Sequence, residues 1–259
     1  MFVPSKPVKV SERVAIRDTY GMSSTYWESV KNDIRLRKIV RVVFILGQSN
    51  QYAQTRINFE NYRYQDIVQI DMEDTYYNLA LKVLLTYKWI DTYCPNVKYV
   101  VKVDDDVFVN VENLLNQIDS IIGSDHNTVM GNIYTKTKLL NVERNPMLKT
   151  ALTRSEFPLT RLPPYAQGTL YALSRDLLPK IVKTAQLMPY MHIEDVFLTG
   201  VVAGKVLGAN LVNFESSDWT DSKPNPCEFV KTKRLAQSGT NPEMTRRLWA
   251  VLLNYNKMC

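Results

Sequence analysis

Residues 99–108 place three consecutive aspartates directly after an apolar, β-branched run. The run predicts a short buried strand, with Asp104, Asp105 and Asp106 at its carboxyl end. In open α/β sheets, ligands bind beyond the carboxyl ends of the strands. Because three neighbouring negative charges repel one another, the triplet favours a hard divalent cation, Mg²⁺ or Mn²⁺, shared with the phosphates of a ligand. The alternative interpretation is a solvated acidic turn.

Strand and helix patterns alternate ahead of the triplet. Strands are predicted at 39–47, 66–71 and 99–103. Helices are predicted at 11–21, after the first strand to about residue 62, and at 74–93, with Asp74 as a candidate N-cap of the last. Strands joined in sequence by helices predict a parallel, doubly wound sheet. The first ten residues, which include two prolines, predict only a lead-in.

The second half of the chain continues the α/β pattern. It predicts helices at 110–122, 175–187, from 193 onward and at 243–253, and strands at 129–134, 168–174 and 210–214. The irregular stretch of about 135–165 predicts a long substrate loop. We therefore expect one catalytic domain over residues 1–259, with a nucleotide-binding half at about 11–125 and an acceptor-binding half at about 126–259.

Composition and missing motifs narrow the function classes. The net charge of +6 is not clustered, which argues against nucleic acid as a partner. The sequence contains no dinucleotide-binding, P-loop or serine-elbow signature, and its two histidines make a histidine-rich zinc site unlikely. The three cysteines leave two alternatives open, one disulfide with a free thiol or three thiols. No apolar run has the roughly 20 residues that a membrane span needs.

Two pairs of charged residues lie in predicted helices. Arg13 and Arg17 lie four residues apart, so they either clamp a phosphate or form a solvated basic face. Glu194 and Asp195 start a predicted helix, where acids are common, and they also suit a second carboxylate at the same sheet edge. A carboxylate that deprotonates a hydroxyl, opposite a metal-bound diphosphate, would make a single-displacement transferase.

Six motifs occur in an order that resembles a known family. They are Arg13-Val-Ala15-Ile16-Arg17-Asp-Thr19-Tyr20-Gly21; Phe44-Ile-Leu-Gly47; Asp66-Ile67 with Asp71 and Asp74-Thr-Tyr76-Tyr-Asn78-Leu79-Ala-Leu81-Lys82; Lys102-Val-Asp104-Asp105-Asp106-Val-Phe108; Pro163-Pro164-Tyr165-Ala166-Gln167-Gly168-Thr169-Leu-Tyr171; and Glu194-Asp195-Val196-Phe197. Over residues 11–215 the chain resembles the β1,3-galactosyltransferase and β1,3-N-acetylglucosaminyltransferase superfamily, which is related to Fringe. The resemblance implies the GT-A fold, with a Rossmann-like, mostly parallel central sheet flanked by helices.

The resemblance also implies an activity and a set of site residues. The activity would be inverting transfer of galactose or N-acetylglucosamine from a UDP-sugar to the 3-hydroxyl of a glycan on a glycoprotein or glycolipid. Asp195 would be the general base, supported by Glu194, and Asp106, with Asp104, would hold Mn²⁺ or Mg²⁺. The donor would contact the following residues: Arg17, Asp74, Asn78, Lys82, Asp104, Asp105 and Gly168.

The chain departs from the family pattern in three places. Tyr20 stands where the family usually has tryptophan, and no histidine occurs near Gln237, where the family often supplies a metal ligand. Gln237 or a water would then substitute, so metal dependence stays open. The third departure is the N-terminal membrane anchor, which this sequence lacks and which places the family in the Golgi lumen. The alternatives are a catalytically impaired relative that binds sugar nucleotide or glycan, and a metal-dependent phosphohydrolase.

Overall fold

The computed structural model describes residues 1–22, 40–122, 126–135, 140–214 and 225–259. The strands in these ranges are β1 (Phe2–Pro4), β2 (Val43–Leu46), β3 (Ile67–Gln69), β4 (Tyr99–Val103), β5 (Phe108–Val109), β6 (Thr128–Tyr134), β7 (Tyr165–Ser174), β8 (Asn210–Asn213) and β9 (Ala236–Gln237). The helices are α1 (Val10–Arg17), α2 (Gln51–Tyr64), α3 (Leu79–Tyr93), α4 (Val111–Ile122), α5 (Leu177–Ala185), α6 (Val196–Val206, of π geometry), α7 (Pro226–Lys231), α8 (Pro242–Leu253) and α9 (Tyr255–Met258). Of the predicted features, residue 39 of the first predicted strand and residues 136–139 of the irregular stretch lie outside the described residues.

The central sheet has seven strands in the order β3-β2-β1-β4-β7-β6-β8. Strands β3, β2, β1 and β4 run parallel, and β8 runs parallel to β6. The predicted mixed α/β class, with a mostly parallel sheet flanked by helices, is confirmed. Strand β7 is the exception to the parallel arrangement, because it runs antiparallel to both β4 and β6.

Strand β1 corrects the predicted N-terminal lead-in. Phe2 and Val3 are fully buried, and β1 pairs with β2 on one side and β4 on the other. Three residues between a terminus and two prolines give too little periodicity to predict a strand. Because β1 is parallel to β4, its carboxyl end brings Ser5 to the edge of the sheet where the three aspartates lie.

Apolar side chains cover both faces of the sheet, because alternate residues of each strand point to opposite sides. On one face, Phe2 and Val100 pack in a cluster with Tyr87 of α3. On the other, Val3 and Val101 pack in a cluster that also contains residues of α1 and α8. Full burial of one such side chain stabilises the fold by about 1.5–3 kcal/mol, so the sheet is a firm base for the loops at its edge.

Buried ion pairs anchor α1. Arg13 is fully buried and donates to both carboxylate oxygens of Glu60, at 2.8 and 2.7 Å. Arg17 donates to Glu60 at 2.7 Å and to both oxygens of Asp66 at 2.7 Å. The alternative of a solvated basic face is therefore wrong, since both guanidinium groups are buried against a shared carboxylate. The phosphate clamp stays a prediction.

The structure also decides between the two cysteine alternatives and gives the N-cap of α3. Cys227 and Cys259 form a disulfide and Cys94 is a free, half-buried thiol, which selects one of the two cysteine alternatives. Asp74 is not the N-cap of α3, because that position belongs to Asn78. In the described ranges, no helix combines the length and apolar character that crossing a bilayer requires.

Candidate active site

The acidic turn after β4 is pinned by three segments of the chain. The Asp104 backbone N–H donates to the Thr169 carbonyl at 3.0 Å, and the Asp106 carbonyl accepts from the Thr240 N–H at 2.8 Å. The Asp105 carboxylate accepts from the Ser5 hydroxyl at 2.9 Å. Strands β5 and β9 pair directly after the turn. The three aspartates are therefore held in a fixed turn.

Lys102 is a buried cation beneath this turn, and its side chain is 1% exposed. Its ammonium donates to the Asp104 carboxylate and to the Gly168 carbonyl, and lies 3.7 Å from the Glu194 carboxylate. Although burial disfavours the ammonium, the carboxylates of Asp104 and Glu194 raise the Lys102 pKa above its usual value. No role was predicted for Lys102, although a lysine inside an otherwise apolar strand is a signal of one.

Glu194 and Asp195 lie at the start of α6, and the Glu194 carboxylate is the one that pairs with the Lys102 ammonium. Asp195 accepts the Gly168 N–H at 2.7 Å and the Val196 N–H at 2.8 Å. The Glu194 carboxylate accepts a hydrogen bond from the Tyr171 hydroxyl. Burial raises the pKa of Glu194 to about 7, although Lys102 opposes the shift. Burial also raises the pKa of Asp195, and Lys102 again opposes it.

Gly168 joins the two acidic segments. Its N–H binds Asp195 and its carbonyl binds Lys102, which in turn holds Asp104. A Cβ added at this position would lie 3.0 Å from the Asp195 carboxylate oxygen and 3.2 Å from its Cβ and Cγ. Glycine here therefore permits the contact with Asp195. The predicted approach of the donor sugar to this backbone stays a prediction.

A cavity of about 320 Å³ opens beside the turn. Its lining includes four of the predicted donor-binding residues: Asp74, Lys82, Asp104 and Asp105. The Lys82 ammonium donates to Asp74 and to the Ser5 carbonyl, both at 2.8 Å. Burial lowers the Lys82 pKa even though Asp74 opposes the shift. The lining residues for which no role was predicted lie chiefly at the end of β1 and in the segment that follows it, namely Pro4, Ser5, Lys6 and Lys9.

Three predicted donor-binding residues lie outside this lining: Gly168, whose contacts are given above, and Arg17 and Asn78. Arg17 is occupied by Glu60 and Asp66, and its guanidinium packs 4.6 Å from the Phe44 ring centroid. The Asn78 side chain donates to the Glu73 carbonyl at 3.0 Å. The structure gives Arg17 and Asn78 an architectural contact, and their predicted contacts with the donor stay predictions.

The family model for galactosyltransferases matches residues 11–213. This chain belongs to the galactosyltransferase family. β-1,3-Galactosyltransferase 5 of Pan troglodytes is 32% identical over 199 residues, which cover 76% of this chain and 63% of the relative. Human β-1,3-galactosyltransferase 2 is 33% identical over 234 residues, 89% of this chain and 50% of the relative. The resemblance predicted from the motifs is confirmed.

Relatives with a second sugar in their names are equally similar. Lactosylceramide 1,3-N-acetyl-beta-D-glucosaminyltransferase B of Xenopus laevis is 32% identical over 238 residues, covering 89% of this chain and 60% of the relative. Sequence identity therefore does not indicate which of the two sugars this galactosyltransferase-family chain would transfer. The chain spans about half to three fifths of the length of these curated relatives.

The residues at the turn fit a divalent cation whose coordination the phosphates of a ligand would complete. Among the described residues, no group of three or more His, Cys, Asp or Glu side chains forms a metal cage. Mg²⁺ sites, however, commonly use one or two carboxylates together with substrate phosphates. Within the described ranges the Asp106 carboxylate accepts no hydrogen bond, whereas Asp104 is bound by Lys102. Gln237 is buried, and its Oε1 has no hydrogen-bond partner in the described part of this galactosyltransferase-family chain.

The raised pKa of Glu194 predicts a pH-dependent stability difference. A carboxyl whose pKa rises from 4.5 to about 7 costs the folded state on the order of 3 kcal/mol once it is ionised. Stability from this group is full below pH 4.5 and is lost as the pH rises through 7. The Glu194→Gln variant, which cannot ionise, should therefore gain free energy of unfolding relative to wild type between those pH values, as measured by urea unfolding.

Glu156→Gln is the control with the opposite sign. In the wild type, partial burial raises the Glu156 pKa, but the hydrogen bonds of Glu156 with His192 and Thr153 outweigh this effect and lower the pKa. The stability that Glu156 supplies is therefore present above its usual pKa and lost on acidification, so its glutamine variant should become relatively less stable as the pH rises. Parallel stability curves for wild type and Glu194→Gln would contradict the shift at Glu194.

Proposed function

We propose that this protein is an inverting β1,3-hexosyltransferase that moves galactose or N-acetylglucosamine from a UDP-sugar to the 3-hydroxyl of a glycan acceptor. The observation that carries the proposal is the bridge at Gly168, which ties Asp195 to Lys102 and Asp104 beside the cavity. One carboxylate for the acceptor and one acidic turn for the donor phosphates are thereby brought to a single sheet edge. The names of the curated relatives support the same reaction.

Asp195 is the proposed general base. Its carboxylate takes the proton of the acceptor hydroxyl as the acceptor oxygen bonds to the anomeric carbon. The bond from that carbon to the β-phosphate oxygen breaks on the opposite side, which inverts the configuration and releases UDP. Burial raises the pKa of Asp195, which makes its carboxylate a stronger base than an exposed aspartate.

The other residues bind, neutralise or orient. Asp106, with Asp104 beside it, would hold Mn²⁺ or Mg²⁺, and that cation would neutralise the charge on the departing diphosphate when bound. Lys102 fixes the Gly168 backbone against which Asp195 is held, and so orients the base. Lys82 places a further positive charge in the cavity wall.

The proposed site of action is the Golgi lumen. The disulfide between Cys227 and Cys259 supports an oxidising compartment, because such bonds are rare in the cytosol. An acceptor on a glycoprotein or glycolipid would be encountered there. We do not favour the catalytically impaired relative, because the Asp195 carboxylate and the acidic turn, to which this proposal gives the chemistry, lie at one sheet edge.

A donor screen tests the proposal. The protein is heated with each of UDP-galactose, UDP-N-acetylglucosamine, UDP-glucose and GDP-mannose, with and without Mn²⁺, because a ligand that binds only the folded state raises the melting temperature. One UDP-sugar should stabilise the chain most, and the same sugar should be transferred to a β-linked glycan with release of UDP. Stabilisation without transfer to any acceptor would support the impaired relative, and phosphate release from simple esters would support the phosphohydrolase.

A further inference from the structure

Lys149 is the cavity-lining residue supplied by the irregular segment between β6 and β7. Its ammonium lies over the Tyr76 ring, 4.9 Å from the centroid. Tyr76 also lines the cavity, and burial together with the charges of Asp195 and Glu194 raises its pKa. The ring therefore holds a cation within the electrostatic neighbourhood of the proposed base.

His192 fixes the backbone from which Lys149 projects. The buried imidazole places Nε2 2.9 Å from the Lys149 carbonyl and Nδ1 2.7 Å from the Glu156 carboxylate. A carbonyl only accepts hydrogen bonds, so Nε2 is the donor in this contact. The Tyr77 ring packs on the imidazole with centroids 5.0 Å apart. His192 thus joins two points of the loop, and it lies two residues before Glu194.

The cations that line the cavity differ in how they are engaged. Lys82 is bound to Asp74, and Lys9 lies 3.1 Å from Glu12. The Lys149 ammonium has no carboxylate partner in the described part of the chain and rests on an aromatic ring instead. Lys6 also has no carboxylate partner there, yet no ring holds it. Lys149 is therefore a positioned positive charge that is available to an anion in the cavity.

We propose that Lys149 binds the diphosphate of the donor and that His192 is the positioning residue that holds the Lys149 backbone in place. The inference rests on the proposed function, because it takes the cavity ligand to be a nucleoside diphosphate sugar. A lysine ammonium is a compact point charge suited to phosphate oxygens. The loop between β6 and β7 would thereby contribute to donor binding as well as to acceptor choice.

Calorimetric titration with UDP and with uridine tests the contact. Lys149→Gln should weaken UDP binding about tenfold, the scale of one charge-assisted hydrogen bond, and leave uridine binding within about twofold. Lys149→Arg, which keeps the charge, should stay within about threefold of wild type for UDP. Lys183→Gln, on the exposed side of α5, is the control for loss of a surface charge and should leave both affinities unchanged.

Each other outcome has a defined meaning. Equal losses for UDP and uridine, or no loss for UDP, would overturn the contact of Lys149 with phosphate. An equal loss of UDP affinity in Lys6→Gln would also overturn it, because the effect would then be the general charge of the cavity. If wild type itself fails to bind UDP, the proposed function fails first, and the two failures are thus distinguishable.

A double-mutant cycle tests the role of His192. His192→Ala should weaken UDP binding about threefold when Lys149 is present and should have no further effect in the Lys149→Gln background. A purely structural role would give the same loss in both backgrounds. Additive losses would therefore remove His192 as the positioning residue while leaving the Lys149 contact standing.

Discussion

Replacement of Asp195 by asparagine is expected to lower kcat for sugar transfer by about 10²- to 10⁴-fold, the usual contribution of a general base. Asparagine keeps one oxygen, which can accept the Gly168 N–H of the bridge, although its NH2 group cannot replace the second oxygen as acceptor for the Val196 N–H. The amide cannot take the proton of the acceptor hydroxyl. Steady-state kinetics with a UDP-sugar donor measure kcat, and calorimetry with UDP should find binding within about threefold of wild type.

The neighbouring carboxylate provides the matched comparison. The Glu194 side chain is 2% exposed, and its oxygens face Tyr171 and Lys102, so it has no access to an acceptor. Glu194→Gln should therefore cost less than about tenfold in kcat, through altered charge around Lys102 rather than through loss of the base. If Glu194→Gln lost as much kcat as Asp195→Asn, or if Asp195→Asn kept wild-type turnover, Asp195 would not be the base.

The pH profile adds an independent check on the same assignment. Because burial raises the pKa of Asp195, the acid limb of kcat/KM should lie above the range of an ordinary aspartate. Transfer should fall as the pH drops through this limb, since the protonated carboxyl cannot act as a base. The limb should be absent from the residual activity of Asp195→Asn.

The acidic turn was predictable because its signal is local. An apolar run that ends in Asp104, Asp105 and Asp106 has only a few spatial arrangements, and the strand places the carboxylates at its end. The position of Asp195 beside them had no such local signal. It depends on β7 running antiparallel to β4. The last residue of β4, Val103, pairs with Leu170 of β7, so Gly168, two residues before Leu170, lies beyond the end of β4.

The misses share a physical cause, which is contact across long stretches of sequence. Arg13 meets Glu60 across 47 residues, and Ser5 meets Asp105 across 100. Neither pairing leaves a periodic pattern, because each depends on which strands become neighbours. Strand β1 is the clearest case, since three residues become central only through pairing with both β2 and β4. The family resemblance supplied the candidate site residues that periodicity did not.

Replacement of Lys102 by methionine is expected to destabilise the protein by about 3–5 kcal/mol, because it removes one partner of a buried ion pair. Methionine fills similar space, yet it leaves Asp104 and Glu194 without the ammonium that neutralises them. At roughly 2–4 °C for each kcal/mol in a chain of this size, the melting temperature should fall by about 10 °C. Urea unfolding and thermal scans at pH 8 measure the two quantities.

Two comparisons separate lost charge from lost packing. Lys180→Met removes an exposed lysine that lies 2.7 Å from Asp176, and it should cost less than about 1 kcal/mol. Adding Glu194→Gln to Lys102→Met should recover part of the loss, because one of the unpaired carboxylates is then gone. The deficit should also shrink toward pH 5, since protonated carboxyls no longer need the cation. A deficit that stayed constant with pH and was not relieved by Glu194→Gln would mean that Lys102 acts through its aliphatic stem alone, and its neutralising role beneath the acidic turn would have to be abandoned.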